Sequence, residues 1–152
     1  MSANRAQLAI AAAILVVALA ESFQVYPRLP DPMVSTFGAD GAPVGWSAKR
    51  SFMILYALST LLWLGLLLLA PFLASRSRES FTLEQRGFLR DTFGWFLIAS
   101  LAFSAWVLHL VFEANLESGR LGVSFVWALV VYLAYVAWWT VRLVRRVRSY
   151  SG

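Results

Sequence analysis

His109, Glu113 and Glu117 recur at four-residue steps in "HLVFEANLE". On an unbroken α-helix that spacing stacks an imidazole and two carboxylates on one face. Such a face can pass protons or hold a divalent cation, and ionisable groups inside a membrane are costly enough to mark function. The plainer reading places the glutamates among lipid headgroups and lets His109 bond a neighbouring backbone group. Glu21, near the end of the first apolar run, is a further carboxylate of the same kind. Glu21, His109 and Glu113 are therefore the candidate proton or ion site. His109 is the only histidine and there is no cysteine. Bis-imidazole haem, thiolate metal sites, cysteine nucleophiles and disulfides are all excluded. No serine, histidine and carboxylate arrangement suggests catalysis. The glycines of "GADGAPVG" fit neither nucleotide-binding fingerprint. The expectation is a protein that is not an enzyme and has no cofactor and no metal centre.

The basic residues offer binding rather than catalysis. Lys49-Arg50 can grip lipid phosphate or an acidic ligand, or simply extend to the headgroups. Glu21 can pair with Lys49 or Arg50 across the start of the next apolar run. Its placement also resembles that of the proton-coupled carboxylate of small four-helix multidrug exporters, which lies deeper there. The tail "VRLVRRVRSY" carries arginines at 142, 145, 146 and 148. It is expected to continue a helix and lie against anionic lipid. Nucleic acid is not an expected partner, because the basic residues cluster at the ends of apolar runs.

The elements that must position these groups are four apolar runs. They are Ala6–Ala20, Ser51–Leu73, Phe93–Phe112 and Gly122–Val141 in a chain 60% hydrophobic and only 14% charged. A helix needs about 20 residues to cross about 30 Å of hydrocarbon. The last three runs qualify as they stand, and the first must extend through Tyr26. The expected fold is all-α: one polytopic membrane domain over residues 1–152, with spans at about 6–26, 51–73, 92–112 and 121–142. Ala18-Leu19-Ala20 before Glu21 resembles a signal-peptidase site; the reading retains this first span uncleaved. Arg5, the four arginines of residues 76–90 and the four of the tail lie on one side, against Arg28, Lys49, Arg50 and Arg120 on the other. The positive-inside rule then puts both termini and a loop at 74–91 in the cytoplasm. Phe93, Trp95, Trp138 and Trp139 mark the inner interface; Trp46 and Phe112 mark the outer one. Thr82 with Gln85 forms a capping-box pattern that starts the third helix near Leu83. Pro71 should end the second helix within about a turn.

The outer loop, residues 27–50, holds four of the five prolines. Tyr26-Pro27 and Leu29-Pro30-Asp31-Pro32 cannot readily continue a helix. Asp40-Gly41 is a favoured corner for a two-residue hairpin turn. Val34, Phe37, Val44 and Trp46 are expected on its membrane-facing side, and Ser47 as the N-cap of the second helix. The loop should be an ordered cap.

The order Tyr26-Pro27, Leu29-Pro30-Asp31, Phe37, Gly41, Gly45-Trp46 and Lys49, directly after one span and before the next, resembles a bacterial membrane domain of unknown function (number 1648 of that series). This domain forms the front half of SdpI-type immunity and signalling proteins. The resemblance covers about residues 8–70. It implies a non-enzymatic role in immunity, sensing or regulation, with those ten residues as the recognition loop. Thr36 stands where that family usually carries histidine, and residues 72–152 show nothing like the SdpI back half. The alternative is a small proton-coupled transporter using Glu21 or His109 and Glu113. It would work as an oligomer, because four helices enclose little volume. The expected partners are the lipid bilayer, a membrane or cytoplasmic protein, and a second copy of the chain.

The charge argument has a direct check. A phosphatase reporter fused after Asp40 should be active and one fused after Glu84 inactive; the opposite pattern overturns the orientation.

Overall fold

The computed structural model describes residues 2–76 and 82–149. Four helices carry the chain: α1 (Ser2–Val25), α2 (Lys49–Arg76), α3 (Leu83–Glu113) and α4 (Val123–Arg148). A 3-10 turn, Tyr26–Arg28, ends α1, with Pro27 at its start. Two short strands, β1 (Met33–Phe37) and β2 (Pro43–Ser47), pair antiparallel before α2. Three helical stretches, Arg5–Arg28, Arg90–Glu117 and Val123–Arg146, are long and apolar enough to cross a membrane. Of the connection expected at 74–91, α2 extends to Arg76, α3 begins at Leu83, and residues 77–81 lie outside the described residues. α2 thus continues past Pro71 for five residues.

α3 is the central post, and α1, α2 and α4 each pack against it. Two core clusters sit along it. Far from the hairpin, Ala11 of α1 packs on Leu97, Ile98 and Leu101, with Trp63 of α2 closing the side. α1 comes close there because Gly94 has no side chain: a Cβ at that position would run into the Gln7 amide. Gln7 Nε2 in turn donates to the Asp91 carbonyl at 3.2 Å. α4 is held by polar and aromatic contacts. Ser100 Oγ and Tyr132 OH lie 2.9 Å apart, Trp139 Nε1 donates to the Thr92 carbonyl, and Tyr132 stacks on Phe103. The start of α3 is set locally: Thr82 Oγ1 accepts from Gln85 N, and Gln85 Oε1 accepts from Thr82 N. The capping box read from the sequence is present.

The second cluster fixes the cap. Leu29 and Met33 are buried against Leu108, Val111 and Phe112, and Met33 has no exposed surface at all. Phe112 is therefore a core residue beneath the hairpin (1% exposed), not an interfacial marker. Burying one such side chain contributes about 1.5–3 kcal/mol. Strand alternation decides the rest. Met33 faces Ser47 and Phe37 faces Pro43 across the ladder, whereas Val34 faces Trp46. Successive side chains point to opposite faces, so Phe37 turns inward while Val44 and Trp46 stay 60% and 59% exposed. The expected grouping of Val34, Phe37, Val44 and Trp46 on one packed face mixes the two sides and is corrected.

Two further local expectations are corrected. The hairpin loop has three residues, Ala39-Asp40-Gly41, closed by Gly38 N donating to the Ala42 carbonyl at 2.8 Å. A two-residue type I′ turn needs positive φ at both central positions; only Gly41 has it, at 75°. Ser47 does not cap α2. It is the last residue of β2, and Asp31 Oδ1 accepts the Lys49 N–H instead, at 3.2 Å. The Asp31–Pro32 peptide bond beside it is cis.

Asn115 ties the hairpin to the end of α3. Its Oδ1 accepts from Val34 N at 2.7 Å, and its Nδ2 donates to the carbonyls of Val34 and Val111 at 3.0 and 2.9 Å. Asn115→Ala leaves two backbone groups of β1 without partners, which should cost about 1–3 kcal/mol. Trypsin acting on the purified protein should cut the native chain slowly at Arg28, Lys49 and Arg50 and the variant markedly faster. Equal rates would remove Asn115 from this role.

Candidate functional site

Glu21 lies one turn before the end of α1, and His109 one turn before the end of α3. Because α1 packs along α3, the two side chains meet: His109 Nδ1 is 2.5 Å from Glu21 Oε1. The pair is partly open, with the imidazole 54% and the carboxylate 26% exposed. Below it runs a groove of about 480 Å³ between the helices, floored by Ala18, Ala102 and Ala105 and flanked by Trp106. A carboxylate and an imidazole in direct contact can share or exchange one proton, and the open side of the ring leaves that proton a way out. Two of the three candidate proton-site residues are thus brought together.

Glu113 is not brought in. It is exposed, and α3 ends at it. The chain then widens into a π-helical turn, Ala114–Ser118, closed by Gly119 N donating to the Ala114 carbonyl at 2.7 Å. The wider turn takes Glu117 off the four-residue stripe, while His109 and Glu113, both within α3, stay one turn apart on the face their spacing predicted. No three acidic, histidine or cysteine side chains among the described residues are grouped to hold a metal ion. Glu21 also does not pair with Lys49 or Arg50: its carboxylate meets His109, and the Lys49 ammonium is held by the Leu29 carbonyl and the Tyr26 ring.

Lys49 is committed within the cap. Its Nζ donates to the Leu29 carbonyl at 3.4 Å and sits 5.0 Å from the centre of the Tyr26 ring. Of the recognition-loop residues, Tyr26, Pro27 and Leu29 form the turn that receives Lys49. Pro30 is exposed beside it, and Asp31 caps α2. Phe37 faces the core, Gly41 makes the loop and Gly45 faces Thr36 across the ladder. Nine of these ten are scaffold or its immediate surroundings. Trp46 is the one whose large side chain projects from the cap, next to Val44, which the resemblance did not include. Asn115, also outside every sequence expectation, had one legible signal: a donor–acceptor amide in a short turn facing a strand.

Glu21→Gln and His109→Gln should each lower stability by about 0.5–1.5 kcal/mol, a value discounted for the partial exposure of the pair. The double variant should cost no more than the larger single one, because both remove one contact. Additive losses in a thermal-melt cycle would show that the two groups act separately. No family model, no curated protein and no solved structure matches this chain, so the site is read from its own geometry.

Proposed function

We propose that the chain is a non-enzymatic, four-span protein of a bacterial inner membrane whose cap is an extracytoplasmic recognition element. α2 serves as the fourth span, supported by the apolar run Ser51–Leu73. The excess of arginine at the far end of the bundle supports cytoplasmic termini. The role is immunity, sensing or regulation of the SdpI-like kind, as the loop's proline, glycine and lysine spacing implies. One observation carries the reading. The cap spends its polar groups on holding itself to α2 and α3, yet leaves Val44 and Trp46 turned outward. Exposed aromatic anchors on a rigid support are what a protein or peptide ligand needs.

The second reading, a proton-coupled transporter working as an oligomer, draws on the Glu21–His109 contact. The two separate in one pair of assays. Bacteria sensitive to a secreted, membrane-active peptide should survive better when they make this chain. Trp46→Ser should remove that protection at an unchanged membrane level, while His109→Gln keeps most of it. Absence of protection, together with His109-dependent proton-coupled uptake in liposomes, would overturn the recognition reading in favour of transport.

A further inference from the structure

α1 and α2 both pack on α3, but between them lies a cleft of about 330 Å³. Its lining is almost wholly apolar, from Leu15 and Leu19 of α1 to Met53, Ala57, Leu61 and Leu64 of α2. Met53 to Leu64 covers about 16 Å of helix, close to half of the roughly 30 Å hydrocarbon thickness of a bilayer. The α2 wall of the cleft is therefore about one leaflet long, and the α1 wall, Leu15 to Ser22, covers about 10 Å,. Its volume over the length of the α2 wall gives a mean cross-section of about 20 Å²,, close to the section of a single extended hydrocarbon chain. A helix about 10 Å across would need roughly four times the volume over the same length, so a transmembrane segment of a second copy does not fit.

Beyond the cap-side end of the cleft the start of α2 carries two positive charges. Lys49 lies over the Tyr26 ring and so bridges the tops of α2 and α1. Arg50 stands one turn before Met53 and two turns before Ala57, on the same stripe of α2. It is exposed and has no partner among the described residues. Asp31 accepts the Lys49 N–H and Glu21 contacts His109, so neither is paired with Arg50. An apolar slot of one-chain section beneath an unpaired guanidinium is complementary to an anionic amphiphile.

We propose that the α1–α2 cleft binds one acyl chain of an anionic phospholipid, whose phosphate is held by Arg50. The membrane disposition proposed above places that lipid in the outer leaflet; binding itself does not depend on which way the protein faces.

The test uses the full chain in nanodiscs made of equal parts phosphatidylglycerol and phosphatidylcholine with identical acyl chains. After release into a non-phospholipid detergent, native mass spectrometry counts the retained lipid. The wild type should keep one phosphatidylglycerol, with a preference of about fivefold or more over phosphatidylcholine. Arg50→Gln should bring the preference close to parity while some lipid stays bound. Ala57→Phe, which puts a ring into open space in the cleft, should reduce retention of both lipids at an unchanged melting temperature. If Ala57→Phe lowers the melting temperature, Leu61→Trp serves as a second plug with the same expected loss. An even preference in the wild type, or an unchanged one in Arg50→Gln, overturns the headgroup assignment. Unchanged retention in both plugged variants overturns the cleft. A dimer that either plug dissolves would show a second copy there instead of lipid, and would equally overturn the proposal. A reversed topology in reporter fusions would move the lipid to the other leaflet and leave these results as they stand.

Discussion

The amide of Asn115 accepts the Val34 N–H and donates to the Val34 carbonyl, and the position of the cap depends on that double hydrogen bond. A two-stranded ribbon is at best marginally stable alone. This one gains a third partner along β1 from a side chain instead of a strand, while Met33 fills the hollow beside Phe112. The same amide donates to Val111 at the end of α3, so hairpin and helix end are fixed by one group. With the hairpin fixed, Asp31 reaches the first N–H of α2 and Lys49 reaches the Leu29 carbonyl. The directions of α1 and α2 at this end follow.

Along the rest of α3 the packing is organised by small residues and isolated polar contacts. Gly94 admits the Gln7 amide, and Ser100 lets the hydroxyl of Tyr132 approach. Apolar side chains surrounded by lipid have little preference for one another over hydrocarbon, so close backbone approach and directed hydrogen bonds must set helix register. The outward faces of α1, α2 and α4 keep their valines, leucines and tryptophans exposed, as helices in contact with lipid do.

What could be read in advance divides by range. Apolar runs, the Thr82–Gln85 capping box and the need for glycine at position 41 are encoded within a few residues; the box and the glycine are in the structure, and three helical stretches are long and apolar enough to cross a membrane. Local sequence points to Ser47 as the cap of α2, whereas Asp31 reaches it from 18 residues away. Apolar type points Val44 and Trp46 inward, whereas strand alternation puts them on the face opposite Met33. His109 stands out in the sequence as the single histidine, but its partner comes from helix packing rather than from the helix that carries it. The i, i+4, i+8 pattern failed for a further reason: a π-helical turn leaves no composition signal, and it begins just after Glu113.

The tip of the hairpin has a mechanical consequence. Gly41 sits with φ of 75° against the backbone of Leu121, and its carbonyl accepts the Leu121 N–H at 3.0 Å. The cap is thereby anchored to the link between α3 and α4 as well as to α1 and α2. All four helices are stapled at one end. Toward the other end α4 is tied to α3 by Trp139, whose Nε1 donates to the Thr92 carbonyl and whose ring packs on Phe93 and Phe96, and by the exposed pair Arg146–Glu84. Force applied to the hairpin tip therefore reaches α4 through the Gly41–Leu121 hydrogen bond as directly as it reaches the other three helices.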